Sequence, residues 1–362
     1  MATLIPRPGI MGIAPYVGGK SALTGVSRVV KLSSNEGALG PSPKAIEAFR
    51  AASDRLHRYP DGHCIALREA LGRRFGLDPA RIVCGAGSDE LLFLLGRAYV
   101  GPGENLVYTE HGFAMYSIIA RSIGALPVAV PEKNLTADVD AILKAVTADT
   151  RAVFIANPNN PTGTYVPAAE IERLRAGLPA NVLLVIDAAY AEFVTRNDYV
   201  PGESLVDRHD NVVMTRTFSK LFGLGGLRIG WAYCPVPVAD VLNRIRGPFN
   251  VAAPAQAAGV AALADIAHQE AALAHNSRWQ PWLEDQIRGL GLEVPPGFAN
   301  FVLVRFPRDS RHDVDAAEKA MHARGLIPRR VADYGLKDHL RITVGLEEEN
   351  KAVVAALREL MV

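Results

Sequence analysis

The sequence has little cysteine, almost no net charge and no long hydrophobic run. Only three of its 362 residues are cysteines, and Cys64, Cys84 and Cys234 match neither a metal-ligand spacing nor a disulfide framework. The formal net charge is +1, from 39 basic and 38 acidic residues, without a long block of one sign. These absences argue against a disulfide-rich secreted domain, a metal site and a protein that binds nucleic acid or an anionic membrane.

No segment is long and apolar enough to predict a transmembrane helix. The first twenty residues contain prolines and glycines where a secretory signal has a continuous apolar core. Together with the scattered cysteines, this pattern favours a soluble protein of a reducing cytoplasm. With 49% hydrophobic residues, the chain is long enough for two domains that each have a core.

Short apolar segments alternate with helical ones between about residues 45 and 250, which predicts an α/β fold with a mostly parallel sheet sandwiched by helices. Segments 151–155 and 182–186 are almost entirely apolar and should be central strands, because helices cover both faces of such a sheet. An alanine-rich helical stretch, 254–290, precedes further strand-like segments. We therefore predict an N-terminal arm (1–40), a large α/β domain (41–253) and a small α+β domain (254–362) entered through a long helix.

Lys220 follows the apolar run 211–215 and precedes a glycine-rich segment. Thr217 and Ser219 lie just before it and Arg228 eight positions after it. An amine able to attack a carbonyl would thus lie near groups that bind a dianion. A pyridoxal phosphate enzyme needs this combination. Taken alone, a surface lysine beside a glycine loop is the simpler interpretation.

Asp187 ends the most apolar segment, and Tyr190 follows three positions later. In a parallel sheet the carboxyl ends of the strands face the ligand crevice, so this carboxylate would be presented to a cofactor. A buried aspartate needs a cationic partner, which the protonated ring nitrogen of pyridoxal phosphate would supply. Taken alone, Asp187 is better interpreted as the N-cap of a helix, and Tyr190 as a core residue.

Two loops follow other apolar segments at the same predicted edge. Residues 157–163 contain two prolines that restrict the backbone, which makes Asn160 a candidate hydrogen-bond donor, although a plain tight turn also explains them. Residues 84–90 include Gly87 and Ser88 and form a strand-to-helix turn whose amides can bind an anion. Because the third glycine of a dinucleotide fingerprint is absent, this loop fits a single phosphate better than a pyrophosphate.

Arginines near the C-terminus are candidate substrate contacts. Arg341 lies in the strand-like segment 340–344, where its planar guanidinium could clamp a carboxylate or a phosphate. Arg329 and Arg330 follow the segment 326–327. Each could instead be a solvated charge, and that is the preferred interpretation of Arg330.

In their order, these motifs resemble the fold-type I pyridoxal phosphate aminotransferases, and within them the histidinol-phosphate aminotransferases. The resemblance covers nearly the whole chain, and the ordered combination is far more specific than any single motif. It is carried by Pro15-Tyr16, Ser34-Asn35-Glu36, Arg58-Tyr59-Pro60-Asp61-Gly62, Gly87-Ser88-Asp89-Glu90, Pro158 to Gly163, Asp187-Ala188-Ala189-Tyr190, Phe218-Ser219-Lys220, Gly226-Leu227-Arg228 and Leu340 to Gly345.

The resemblance implies a role for each candidate. Lys220 would bind the cofactor covalently and move the substrate proton, with Asp187 and Tyr190 as its catalytic neighbours. The remaining cofactor contacts would be Gly87, Ser88, Asp89, Phe113 stacked on the ring, Asn160, Thr217, Ser219, Arg228 and, from the neighbouring subunit of a homodimer, Tyr59. The substrate contacts would be Tyr16, Asn160, Arg329 and Arg341. No metal is implied.

The implied reaction transfers the amino group of L-histidinol phosphate to 2-oxoglutarate in histidine biosynthesis, giving imidazole acetol phosphate and glutamate. The alternative is an aromatic amino acid aminotransferase acting on tyrosine or phenylalanine, alone or as a second activity. A decarboxylase of a phosphorylated amino acid fits less well. A cofactor-binding regulator is disfavoured because the sequence shows no DNA-binding module, and a dehydrogenase because the glycine fingerprint is incomplete. Gly18, Gly37 and Ala38 depart from the family pattern in the arm, so substrate choice is less constrained than cofactor choice.

Overall fold

The computed structural model describes residues 4–16, 18–25, 28–309 and 311–361. The other positions, 1–3, 17, 26, 27, 310 and 362, belong to the predicted arm and small domain and lie outside the described residues. The α-helices are α1 (Pro43–Ala52), α2 (Ile65–Phe75), α3 (Ser88–Tyr99), α4 (Met115–Ser122), α5 (Val139–Ala145), α6 (Ala168–Gly177), α7 (Glu203–Arg208), α8 (Val236–Ile245), α9 (Ala253–Ala264), α10 (Ile266–Arg288), α11 (Val314–Ala323) and α12 (Glu347–Met361). The strands are β1 (Val30–Lys31), β2 (Ile82–Gly85), β3 (Asn105–Thr109), β4 (Leu126–Val130), β5 (Glu132–Lys133), β6 (Thr136–Ala137), β7 (Thr150–Ala156), β8 (Leu183–Asp187), β9 (Val212–Thr217), β10 (Gly230–Tyr233), β11 (Phe301–Arg305), β12 (Leu326–Ile327), β13 (Arg329–Arg330) and β14 (His339–Thr343).

The central sheet has the strand order β2-β10-β9-β8-β7-β3-β4. Five adjacent strands, from β9 to β4, run parallel, and only β10 is antiparallel to its neighbours β9 and β2. Successive residues of β8 enter different cores, Leu184 and Ile186 on one face and Leu183 and Val185 on the other. Both faces are therefore covered, as the apolar sequence requires, and the predicted mostly parallel α/β sheet is confirmed.

The register of the parallel strands brings their carboxyl ends to one edge. Asp187 of β8 pairs with Ala156 of β7 on one side and with Thr215 of β9 on the other. The loops that follow these three strands begin at residues 157, 188 and 218, so the predicted motifs emerge side by side. This edge is where ligands bind in open parallel sheets.

A smaller unit packs around the antiparallel sheet β11-β14-β13. Its core includes Val302, Ile342 and Leu357 from strands and from the C-terminal helix α12. The arm joins this unit because β1 pairs in parallel with β12, with Val30 opposite Leu326. The smaller α+β unit expected from the sequence is therefore present.

The alanine-rich stretch 254–290 is two helices, where we expected a single helical stretch. The break is at Asp265, whose backbone leaves the helical region and whose carboxylate accepts a hydrogen bond from Ser42 at 2.5 Å. Helix α9 buries Ala258 in the larger core, whereas α10 buries Ile287 in the smaller one. The chain thus crosses between units along α10, and the boundary at residues 253 and 254 stays a prediction. In the described part of the chain, no helix is long and apolar enough to cross a lipid bilayer.

Candidate active site

A cavity of about 330 Å³ opens at the carboxyl ends of β7, β8 and β9. The arm, the central sheet and strand β14 of the smaller unit all contribute to its wall. Of the residues predicted from the sequence, the wall contains Tyr16, Ser88, Asp89, Phe113, Asn160, Asp187, Tyr190, Thr217, Ser219, Lys220, Arg228 and Arg341. The fold therefore brings together side chains that are separated by up to 325 positions in the sequence.

Lys220 reaches the cavity from the loop after β9. Phe218, two residues earlier, is fully buried and anchors this loop, since its amide donates to the Ile229 carbonyl at 3.0 Å. The Lys220 ammonium donates to the Ser34 carbonyl at 3.2 Å and lies 5.6 Å from the centre of the Tyr190 ring. Loss of hydration, and then the charge of Arg341, lower the pKa of Lys220 to about 8. A fraction of this amine is therefore neutral and nucleophilic at physiological pH.

Asp187 is buried at the floor of the cavity and accepts two hydrogen bonds from hydroxyl groups. The Tyr116 hydroxyl donates to Oδ2 at 2.9 Å, and the Thr215 hydroxyl donates to Oδ1 at 3.2 Å. Burial raises the pKa of Asp187 to about 6, against the opposing effect of these donors. Among the described residues no cationic side chain lies within ion-pair distance of this carboxylate. A cation supplied by a ligand would therefore stabilise it.

Arg341 is a buried cation in the wall of the cavity. Its guanidinium donates to the Asn160 amide oxygen at 2.5 Å and to the Ser33 carbonyl at 2.6 Å. Its Nε is buried without a hydrogen-bond partner among the described residues. Burial lowers the pKa of Arg341, so its charge favours an anionic ligand. Asn160, predicted as a donor, here uses its amide oxygen as an acceptor.

The Tyr190 hydroxyl faces the arm of the molecule. Asn35 donates its side-chain amide to this hydroxyl at 2.8 Å, and burial raises the pKa of Tyr190 to about 12. The phenol therefore stays protonated at neutral pH and can donate one hydrogen bond to a ligand. Asn35 was not among the predicted site residues, although it lies in the motif Ser34-Asn35-Glu36.

The turn between β2 and α3 builds an anion-binding corner. Gly87 has φ +84°, and a Cβ atom placed there would lie 2.4 Å from Arg228 Nη2. A Cβ at Gly230 would lie 2.2 Å from the Ser88 amide nitrogen, so both positions require glycine. Ser88 begins helix α3, and the Arg228 guanidinium pairs with Asp89 at 3.1 Å beside it. A helix N-terminus next to an arginine suits a phosphate group.

The loop after β9 adds hydroxyl groups to this corner. The Thr217 hydroxyl donates to the Ser219 hydroxyl at 2.9 Å, and the Ser219 amide donates back to Thr217 at 3.1 Å. Phe113 lies in the wall with its ring edge-on to Tyr116, at 5.9 Å between centres. Gly87 lies behind the wall, where it makes room for Arg228.

Two predicted site residues, Tyr59 and Arg329, and the neighbouring Arg330 lie outside the cavity wall. Tyr59 is 83% exposed and stacks on Phe249 at 4.6 Å. Arg329 pairs with Asp333 at 2.8 Å and lies 5.9 Å from the ring of Tyr16, so it borders the cavity through Tyr16. Arg330, which we preferred to interpret as a solvated charge, pairs with Asp315 at 2.5 Å on the surface. These positions leave the predicted roles of Tyr59 and Arg329 as predictions.

The charges of the cavity complement those of pyridoxal phosphate. The anion corner at Ser88 and Arg228 suits its phosphate, the unpaired Asp187 suits a protonated ring nitrogen, and the Lys220 amine suits its aldehyde carbon. Sequence reasoning missed Tyr116 and Thr215. Tyr116 follows Phe113 by three positions, a spacing typical of side chains that contact each other in a helical segment, and this was the one signal that the sequence contained.

Comparison with known proteins gives a consistent result over the full chain. The family model described as aminotransferase class I and II matches residues 27–357. The chain is 62% identical over 359 residues to the histidinol-phosphate aminotransferase of Paramagnetospirillum magneticum, covering 99% of both proteins. It is 58% identical over 357 residues to that of Rhodospirillum centenum, covering 99% of this chain and 98% of the relative.

Solved structures agree with this similarity. The histidinol-phosphate aminotransferase of Sinorhizobium meliloti, in complex with pyridoxal-5'-phosphate, has a TM-score of 0.89 at 30% identity, covering 99% of this chain and 98% of that chain. The aspartate aminotransferase of Thermus thermophilus with maleate has a TM-score of 0.81 at 22% identity, covering 92% and 91%. At 22% identity, the similarity to the aspartate aminotransferase shows a shared fold only.

Proposed function

The chain belongs to the class I and II aminotransferase family, and from this membership we propose that it transfers the amino group of L-histidinol phosphate to 2-oxoglutarate. Its products are imidazole acetol phosphate and glutamate. The full-length similarity to two histidinol-phosphate aminotransferases supports this substrate over tyrosine and phenylalanine. The geometric observation that carries the proposal is Arg341, a buried cation without a carboxylate partner among the described residues, because both substrates bring an anion to it.

The cofactor is pyridoxal phosphate, whose ring withdraws electrons from the carbon that bears the transferred amine. We propose that the Ser88 amide, Thr217, Ser219 and Arg228 hold its phosphate. Asp187 would bind its ring nitrogen, and Tyr190 its phenolic oxygen. Phe113 would cover one face of the ring, while Gly87, Asp89 and Asn160 shape the site around it.

The Lys220 amine both holds the cofactor and moves the substrate proton. With a pKa of about 8, roughly a tenth of this amine is neutral at pH 7. Its flexible side chain can swing within the cavity, since among the described residues the one hydrogen bond of Nζ is to the Ser34 carbonyl. In the first half of the reaction, Lys220 would accept the proton from the substrate carbon that bears the amine. In the second half it would donate a proton to the carbon of 2-oxoglutarate that receives the amine.

Arg341 serves the two substrates in turn. It would bind the phosphate of histidinol phosphate and then a carboxylate of 2-oxoglutarate at the same position. Tyr16 and Arg329, which lie together at the rim, would assist with the phosphate. Because both substrates use one site, the enzyme releases its first product before the second substrate binds, which predicts ping-pong kinetics.

A half-reaction experiment tests the substrate. The absorption of the bound cofactor is followed in a stopped-flow instrument after mixing with histidinol phosphate, tyrosine or phenylalanine at matched concentrations. We expect histidinol phosphate to react at least about tenfold faster, since only histidinol phosphate brings a dianion to the buried Arg341. A tenfold ratio corresponds to about 1.4 kcal/mol, close to the contribution of one charge-assisted hydrogen bond. Faster reaction with either aromatic amino acid would reassign the substrate, and protein that binds no pyridoxal phosphate would overturn the proposal entirely.

We further propose a cytoplasmic homodimer with shared active sites. Tyr59 is exposed and does not line the cavity of its own chain, and the segment around it exposes Phe49, Leu56 and Ile65. Such apolar exposure marks an interaction surface. In the dimer Tyr59 would donate its hydroxyl to the cofactor phosphate in the partner's cavity. The cytoplasmic location is supported by the cysteines, all three of which are buried and free.

Mixing two variants with different defects in cofactor binding tests the shared site. Tyr59→Ala should weaken cofactor binding about tenfold by removing a charge-assisted hydrogen bond, and Lys220→Ala should remove covalent binding. In a mixed dimer one cavity then has an intact Lys220 and an intact Tyr59 from the other chain. We expect unfolding and refolding of the mixture to restore tight binding at one site per mixed dimer. If Tyr59 served its own chain, the mixture would restore none.

A further inference from the structure

We propose that Tyr116 is a positioning residue that orients the Asp187 carboxylate toward the cofactor ring nitrogen and stabilises its negative charge. The inference rests on the proposed function, because it assumes that pyridoxal phosphate binds at Asp187. Tyr116 itself does not line the cavity, so it would act only through Asp187 and Phe113.

The hydrogen bond between these residues is buried and directed. Tyr116 is 0% exposed, and its hydroxyl donates to Asp187 Oδ2 at 2.9 Å. Thr215 donates to the other carboxylate oxygen at 3.2 Å. Each oxygen therefore has one hydroxyl donor from the protein, and the two donors fix the plane of the carboxylate from different elements, α4 and β9.

The ring of Tyr116 is held by other aromatic rings. Phe154 of β7 meets it edge-on at 5.5 Å, Tyr108 of β3 at 6.2 Å and Phe113 at 5.9 Å. Edge-to-face contacts at these distances favour one ring orientation, which leaves the hydroxyl aimed at Asp187. Through Phe113 the same residue also supports the aromatic side chain proposed to cover the cofactor ring.

The electrostatic surroundings of Asp187 disfavour its negative charge, and the Tyr116 hydroxyl counteracts this effect. Asp187 faces Asp89 of α3, a like charge, and Tyr190 of the following loop, while burial raises the pKa of Asp187 to about 6. The Tyr116 and Thr215 hydroxyls act in the opposite direction and favour the ionised carboxylate. Without Tyr116, Oδ2 would lose its hydroxyl donor, and among the described residues only the Thr215 hydroxyl and the Ala189 backbone amide would still favour the ionised carboxylate. The ionised form that binds a cationic ring would therefore be less populated.

A cycle of protein and cofactor changes tests this role. Tyr116→Phe removes the hydroxyl and keeps the ring, and the analogue of pyridoxal phosphate with carbon in place of the ring nitrogen removes the group that Asp187 would bind. Dissociation constants of both compounds are measured with the cofactor-free protein. We expect the variant to bind pyridoxal phosphate about tenfold more weakly, and the carbon analogue less than about twofold more weakly, than the unchanged protein does.

The matched control is Tyr108→Phe, which removes a hydroxyl from the same aromatic group but one that interacts with Ser117. It should leave both dissociation constants unchanged. Thr215→Val removes the second hydroxyl donor and serves as the test if Tyr116→Phe folds poorly. It should also weaken the binding of pyridoxal phosphate more than that of the carbon analogue. Equal losses for both compounds, equal losses in the two tyrosine variants, or no loss at all would overturn the role of Tyr116. If the unchanged protein binds no pyridoxal phosphate, the proposed function fails instead.

Discussion

Replacing Lys220 with alanine is expected to lower turnover at least about a thousandfold, because one amine both holds the cofactor and moves the substrate proton. No other lysine lines the cavity in the described part of the chain. The purified variant mixed with pyridoxal phosphate should also lack the visible absorption that the cofactor shows when a lysine holds it. Turnover with histidinol phosphate and the absorption spectrum measure the two effects independently.

The control for this variant is Lys351→Ala, which removes a lysine from a surface pair with Glu347 in helix α12. This control variant should keep both its turnover and the visible absorption of the bound cofactor. The Lys220 variant should be no less stable than the unchanged protein at pH 7, since the folded state lowers the pKa of this lysine and so disfavours its charge. Retention of a tenth of the turnover, or of the visible band, would contradict the assignment of Lys220.

Replacing Asp187 with asparagine is expected to stabilise the cofactor-free protein and to weaken the cofactor complex. Folding raises the pKa of this buried carboxyl from 3.8 to about 6, so its ionised form destabilises the folded state. The penalty is absent below about pH 4, grows as pH rises to about 6 and is then constant at roughly 3 kcal/mol. Asparagine has the same shape and no charge, so the variant should gain up to roughly this amount at pH 7.

The cofactor complex of the same variant should lose affinity and turnover by several hundredfold or more, because a buried cationic ring nitrogen would have no anion. Urea unfolding at pH 4 and pH 7 measures the gain in stability of the cofactor-free protein, and cofactor titration measures the loss of affinity. Asp198→Asn is the matched control, as Asp198 also accepts a tyrosine hydroxyl, from Tyr165 at 2.6 Å, but in solvent. A variant less stable than the unchanged protein at pH 7, or one with unchanged cofactor affinity, would contradict the role of Asp187.

The central sheet and the loops at its edge could be predicted because their signals are local. Segments 151–155 and 182–186 are almost entirely apolar, which is the property of strands buried on both faces. Lys220 and Asn160 each follow such a strand, so their common edge follows from parallel pairing alone. Ser88 follows β2, which joins the sheet through the antiparallel strand β10, so its place at this edge did not follow from parallel pairing. The break at Asp265 could not be predicted in this way, since alanine favours helix on both sides of it and a contact with Ser42, 223 positions away, accompanies it.

The sequence by itself determined the chemistry available to this protein: a lysine after an apolar strand, an aspartate at the end of another, a glycine turn before a helix, and a family pattern that names the cofactor. Only the tertiary structure decided which side chains serve these groups. Tyr116 reaches Asp187 across 71 positions, Asn35 reaches Tyr190 across 155, and Arg341 reaches Asn160 across 181. Such pairs depend on strand register and on the packing of the smaller unit against the sheet, and hydrogen bonds form only within about 3 Å, a distance that no local pattern encodes.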